Sequence, residues 1–202
     1  MNGKNHKATP GQIALAWLLA KKPSNLKNIT MKSILTSFAL LLFSTLTFAQ
    51  KMNNQNIEQR LAAIEDKMAI KYVVDEFSNF ADTKEIDRQV LLFTEDGEVE
   101  SVTNGQSNIL KGREQLKQAF SGFLSNFHTV YHQNGQQTIN LQGDKAEAVS
   151  YCRVILIGKQ NDKEMKTTLY AIYKDLFVKE SGKWLIRHRT SNFVHREVEE
   201  VK

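Results

Sequence analysis

"QQTINLQGDKAEAVSYCRVILIG", residues 136–158, is where the chain changes its period. Upstream, apolar residues recur at helical spacing; here they alternate. The stretch reads as two strands joined at a Gly143-Asp144 turn. "EMKTTLYAIYKDLFVKE" (164–180) follows as a third strand after the polar loop 159–163, and "KWLIRHRTSNFVH" (183–195) as a fourth after Ser181-Gly182. Before the switch, Ile57, Leu61, Ile64 and Met68 recur at steps of four, three and four, and Tyr72, Val73, Phe77 and Phe80 continue an apolar side. That pattern predicts one long amphipathic helix ending near Asp82-Thr83. A short helix is expected within "KEIDRQVLLF" (84–93), a strand after Asp96-Gly97, and a helix over 112–126 with Leu116, Phe120, Phe123 and Leu124 as its apolar positions. Helices first and long strands after give an α+β fold, with the long N-terminal helix packed on one face of a curved antiparallel sheet.

The chain has 202 residues and a formal charge of +5. The charge is unevenly placed. Residues 1–49 hold six lysines and no acid, which leaves 21 Lys plus Arg against 22 Asp plus Glu in residues 50–202, a balance of −1. Those charges are interspersed without a basic stripe, so no nucleic-acid partner is expected. About 150 residues suffice for one domain with a sizeable core. The one cysteine, Cys152, has no internal partner for a disulfide and reads as a small core residue in "YCRVILIG".

"MKSILTSFALLLFSTLTFAQ" (31–50) has a charged start, a short apolar middle and small residues at its end. It reads as a secretory signal peptide cut after Ala49. The expected product is exported, periplasmic or secreted, with no stable membrane span after cleavage. Residues 1–30 are expected to be an extension outside the working protein. Within them, "ATPGQIALAWLLAKKPS" (Ala8 to Ser24) reads as a helix capped at Thr9 and resembles a late helix of the aldo/keto reductases, without the rest of that barrel. Residues 50–56 are expected to be a flexible polar segment, 57–195 the domain, and 196–202 a charged tail.

Three stretches carry a wider resemblance. They are "FADTKEIDRQVLLFTEDGEVE" (80–100), "QGDKAEAVSYC" (142–152) and "YKDLFVKESGKWLIRHR" (173–189). In this order and spacing the domain resembles the SnoaL-like members of the nuclear-transport-factor-2-like superfamily. The resemblance implies a cone-shaped, cystatin-like α+β barrel: a curved sheet around the first helix, open at one end, where a small hydrophobic molecule is often held. It also implies a likeness to cofactor-free dehydratases and isomerases, and to members that pair as homodimers through the sheet. A fold of this kind does not fix a reaction.

The same resemblance places Asp82 and His132 as a candidate catalytic pair. A carboxylate would fix the imidazole tautomer, and the imidazole would move a proton beside a carbonyl. The plainer alternative is that Asp82 stops the helix and His132 sits exposed at a strand edge. Departures from the dehydratase pattern are Ala81 and Ser101, where tyrosines are expected, and Tyr170, where a second histidine is expected; Glu100 adjoins Ser101. Tyr170 is a further catalytic candidate, and Tyr72, Tyr151 and His128 are candidate ligand contacts, the tyrosines as hydrogen-bond donors to an oxyanion. His128 and His132 are four apart, but no third ligand at metal spacing accompanies them, so neither metal nor cofactor is expected. Tyr173, Asp175, Gly182, Trp184 and Arg187 read as structural, with Asp175 and an arginine tying neighbouring strands. The functional expectation is a small-molecule pocket protein, either a cofactor-free lyase or isomerase, or a non-catalytic binding protein or dimerisation scaffold.

Overall fold

The computed structural model describes residues 10–20, 31–103 and 105–201. The chain divides into two compact units, 1–57 and 58–202. In the first, α1 spans Pro10–Ala20, inside the stretch expected to be helical. The expectations for residues 1–9 and 21–30 lie outside the described residues. Among those described, no helix is long and apolar enough to cross a membrane.

α2 spans Met31–Thr83 and passes without a break through residues 50–56, which were expected to be flexible. Its end is built by the backbone. Lys84 takes a left-handed φ of 57°, the Glu85 N–H bonds the Phe80 carbonyl at 2.8 Å, and the Lys84 N–H bonds the Ala81 carbonyl at 3.2 Å. This paired closure satisfies carbonyls that the last turn would otherwise leave open. α3 (Ile86–Val90) follows at once. β1 spans Phe93–Thr103, β2 Gln106–Lys111, α4 Arg113–Leu124, β3 Thr129–Gln142, β4 Lys145–Gln160, β5 Lys163–Glu180 and β6 Lys183–Glu200.

The six strands form one sheet in the order β2-β1-β6-β5-β4-β3. The α+β expectation holds. The sheet is not wholly antiparallel, because β1 runs parallel to β6. It does not close, since β2 and β3 are free edges. The segment expected as a loop at 159–163 is a tight turn, in which Asn161 and Asp162 both adopt positive φ, as a two-residue hairpin requires. Residues 196–200, expected as a tail, continue β6 and pair with β5 as far as Met165↔Glu200.

From Glu58 on, α2 lays Ile70, Val73, Val74, Phe77, Phe80 and Ala81 against the sheet. Burying each large member of that set stabilises the fold by roughly 1.5–3 kcal/mol. Ile57, Leu61, Ile64, Met68 and Tyr72, expected on the same apolar side, are instead more than half exposed. At about 100° per residue the two sets lie on opposite faces of the helix. The buried face is pinned by Asp66, which accepts hydrogen bonds from Trp184 Nε1 at 2.8 Å and Lys179 Nζ at 2.7 Å.

Candidate functional site

Two apolar clusters fill the concave side of the sheet. One is centred on Phe77, Phe93, Phe177 and Ile186, the other on Leu124, Val154, Leu156 and Tyr173. Where they meet, α2, α3, α4 and the sheet leave a cavity of about 270 Å³. Phe77, Ala81, Val99, Phe120, Leu124, Val154, Leu156, Leu169 and Phe193 make most of its wall, and Gln89, Ser101, His132, Tyr173 and Ser191 supply the polar groups. Apolar walls with a few placed polar atoms are the usual make-up of a small-molecule site.

The Asp82 and His132 side chains come together at this cavity. His132 Nδ1 lies 2.6 Å from Asp82 Oδ1, and the His132 backbone N–H reaches both carboxylate oxygens at 3.1 Å. The imidazole is not exposed at a strand edge: its side chain is 7 % accessible, against 24 % for Asp82. Asp82 stands behind the wall, while His132 is part of it. An Asp in the last turn of a helix opposes the helix dipole, which disfavours it by about 0.3–1 kcal/mol. The bonds to His132 offset that cost. With Nδ1–H donated to the carboxylate, the neutral ring carries its lone pair on Nε2. No described residue bonds Nε2, so it is a base open to the cavity.

Gln89, which the sequence reading passed over, faces this site from α3. It is 2 % exposed; its Nε2 donates to the Phe77 carbonyl at 3.0 Å, and its Oε1 is buried without a partner. The donated bond fixes which end of the amide is which, so the unmet group is an acceptor. Tyr173 is also a cavity residue. Burial raises its phenol above the usual range, which keeps the group a neutral O–H donor. Beneath it, Arg189 is fully buried and gives Nε to Asp175 Oδ1 at 2.7 Å and Nη2 to Oδ2 at 2.8 Å. The arginine that ties Asp175 is therefore Arg189; Arg187 lies outside and pairs with Asp96. Burial likewise pushes the Cys152 thiol up to about 11, so it is a core group and no nucleophile at neutral pH.

The remaining candidates fall elsewhere. Tyr72 is exposed on α2. Tyr151 and Tyr170 point to the convex side, where Tyr170 packs against the His195 ring at 5.5 Å between centroids. His128 is exposed and pairs with Glu164 and the Thr129 hydroxyl, away from His132. The tyrosine that lines the cavity is Tyr173, whose hydroxyl is hydrogen-bonded to the Cys152 thiol, because β5 turns Leu169, Ala171 and Tyr173 inward and Tyr170 outward. Ser101 does line the cavity, whereas Glu100 faces out and accepts from Ser107 and Thr190. Among the described residues, no group of three or more His, Cys, Asp or Glu is arranged to hold a metal ion.

A concave sheet on a long helix, with an Asp-His pair at an apolar cavity, defines an NTF2-like α+β domain. The SnoaL-like domain family matches residues 62–190, and the chain belongs to that family. Solved structures of the same fold include a scytalone dehydratase candidate from Novosphingobium aromaticivorans, at 23 % identity and a TM-score of 0.61, over 69 % of this chain and 91 % of that one. A hexachlorocyclohexane dehydrochlorinase, LinA type 2, matches at 14 % identity and a TM-score of 0.59, over 70 % and 93 % of the two chains. An NTF2-like protein with a cystatin-like fold from Novosphingobium aromaticivorans matches at 20 % identity and a TM-score of 0.55, over 69 % and 89 %. No curated protein matches the chain.

Proposed function

We propose that the domain is a cofactor-free lyase or isomerase acting on a small, largely apolar molecule with a carbonyl or hydroxyl group. The observation that carries this reading is His132, tethered through Nδ1 to Asp82 and presenting an unpartnered Nε2 to an apolar cavity. In the reaction, Nε2 takes a proton from a carbon next to the polar group. The electron pair left behind either moves onto the carbonyl oxygen, after which the imidazolium returns the proton at another carbon to complete an isomerisation, or it forms a C=C bond and expels the leaving group from the neighbouring carbon with the electrons of its bond, hydroxide taking up the proton from the imidazolium and departing as water. Asp82 holds the ring and stabilises the imidazolium. The Tyr173 hydroxyl, redirected from the Cys152 thiol, is the donor for charge that builds on oxygen. The dehydratase and dehydrochlorinase names of two structural neighbours are compatible with proton abstraction of this kind.

A second reading is a binding protein for the same class of molecule. It is favoured by Ala81 and Ser101, which leave the cavity without further acid groups on those walls. Exchange of the α-protons of 2-tetralone in heavy water, followed by NMR, separates the two readings. Catalysed exchange that is lost in His132→Ala and falls at least tenfold in Asp82→Asn supports the lyase or isomerase. Saturable binding without exchange, unchanged in both variants, supports the carrier. We also read residues 31–49 as a leader whose removal after Ala49 exports the domain; the mass of the protein recovered from its native host tests this.

A further inference from the structure

The exposed face of α2 has a spacing of its own. Leu61, Ile64 and Met68 are 53, 54 and 67 % exposed, and Ile57 precedes them in sequence by the same alternation of four and three. The spacing matches that of a two-stranded coiled-coil seam, with Leu61 and Met68 at a and Ile57 and Ile64 at d. The domain leaves it largely open, because Asp66, at the opposite position f, is the residue bonded to Trp184 and Lys179, and among the described residues only Gln137 and Ile139 of β3 flank Ile64 and Met68 along one side. The charges beside the seam are sorted. Both e positions are acidic, Glu58 and Glu65, and both g positions are basic, Arg60 and Lys67. None of the four makes an ion pair with another described residue.

We propose that this face pairs with the same face of a second copy, the two helices running parallel and in register. The sorted charges choose both the partner and the direction. In a parallel pair, g of one helix faces e of the next heptad on the other, so Arg60 meets the second copy's Glu65 twice about the axis. An antiparallel pair would set basic g against basic g and acidic e against acidic e, which is repulsive. The seam runs over the 12 residues from Ile57 to Met68.

Single cysteines in the full chain test the arrangement, since the native Cys152 is buried and supplies no background. Under mild oxidation, Leu61→Cys and Ile64→Cys each cross-link to their own kind several-fold more than Gln59→Cys, at position f. Arg60→Glu lowers the Leu61→Cys yield several-fold, and adding Glu65→Arg restores it. Equal yields at Leu61, Ile64 and Gln59 would overturn the proposal. Preferred cross-linking between Ile57→Cys and Met68→Cys chains, which an antiparallel pair would bring together as d against a, would overturn the direction. A polarity-sensitive dye on Leu61→Cys that shifts to the blue only with phosphatidylglycerol vesicles, without a cross-linked dimer, would assign the face to a lipid surface instead.

Discussion

The Arg189 guanidinium carbon lies 4.2 and 4.5 Å from the ring centroids of Phe77 and Tyr173, and the group gives two hydrogen bonds to Asp175. Both side chains are wholly buried. Burial is the largest single influence and opposes the cation, but the Asp175 charge and its hydrogen bonds, with smaller help from Tyr173 and Cys152, together outweigh it, so the guanidinium is held above its usual range. The pair joins β5 to β6 directly under the cavity floor. Removing one partner strands the other charge. Asp175→Ala and Arg189→Ala are each expected to lower stability by about 3–5 kcal/mol, and Arg189→Met with Asp175→Leu to recover much of the loss. Urea unfolding of the four proteins checks this; equal losses in the single and double variants would refute it.

Gln89 makes a different prediction. Its buried Oε1 asks for a donor, so a ligand carrying O–H or N–H at that point is preferred over one that does not. Phenol is expected to bind in the cavity more tightly than toluene. Gln89→Leu should shrink that preference by at least fivefold, in line with about 1–3 kcal/mol for an unmet buried polar group. Titration calorimetry with the two probes gives the ratio, and an unchanged ratio would assign Oε1 no part in selection.

Asp66 ties α2 to the sheet and carries a pH dependence. Its carboxyl is held below the ordinary 3.8, first by the bond from Lys179 and then by that from Trp184. The sign follows from linkage. A depressed acid stabilises the fold above its unfolded pKa, and that contribution is lost as pH falls through the folded value. The stability gap between the native protein and Asp66→Asn should therefore be constant above about pH 5 and narrow on acidification toward pH 3. Chemical unfolding at a series of pH values measures the gap, and a gap that widens in acid contradicts the assignment.

Alternation made β3 to β6 readable, since each strand has one face in the core and one outside. β2 was missed because "QSNILK" is almost wholly exposed and carries no alternation. The end of the long helix near Thr83 was placed correctly, but the helix begins at Met31 rather than Ile57, and its two apolar stripes were merged into one. Spacing tells that a residue is apolar, not which of two faces a sheet will cover. The same ambiguity misled the choice of tyrosine. Tyr170 and Tyr173 sit three residues apart on one strand, and only curvature decides which side becomes the cavity. Asp82 and His132 were found through the resemblance, while Gln89 and Arg189 depend on neighbours that are 12 and 14 residues away or more and leave no local pattern.

The carboxylate of Asp82 does one more thing. β3 is a free edge of the sheet, and an unpaired edge is a template on which another strand can add. The His132 N–H faces that edge, and Asp82 occupies it with both oxygens. Two residues on, the Asn134 side-chain Nδ2 donates to Asp75 Oδ1 of the same helix at 3.1 Å. α2 thus plugs the edge along the stretch beside the cavity. Shortening Asp82 to alanine would free the imidazole and open the edge together, so a lost turnover in that variant would be mixed with self-association. Asparagine keeps an acceptor on the strand and isolates the charge.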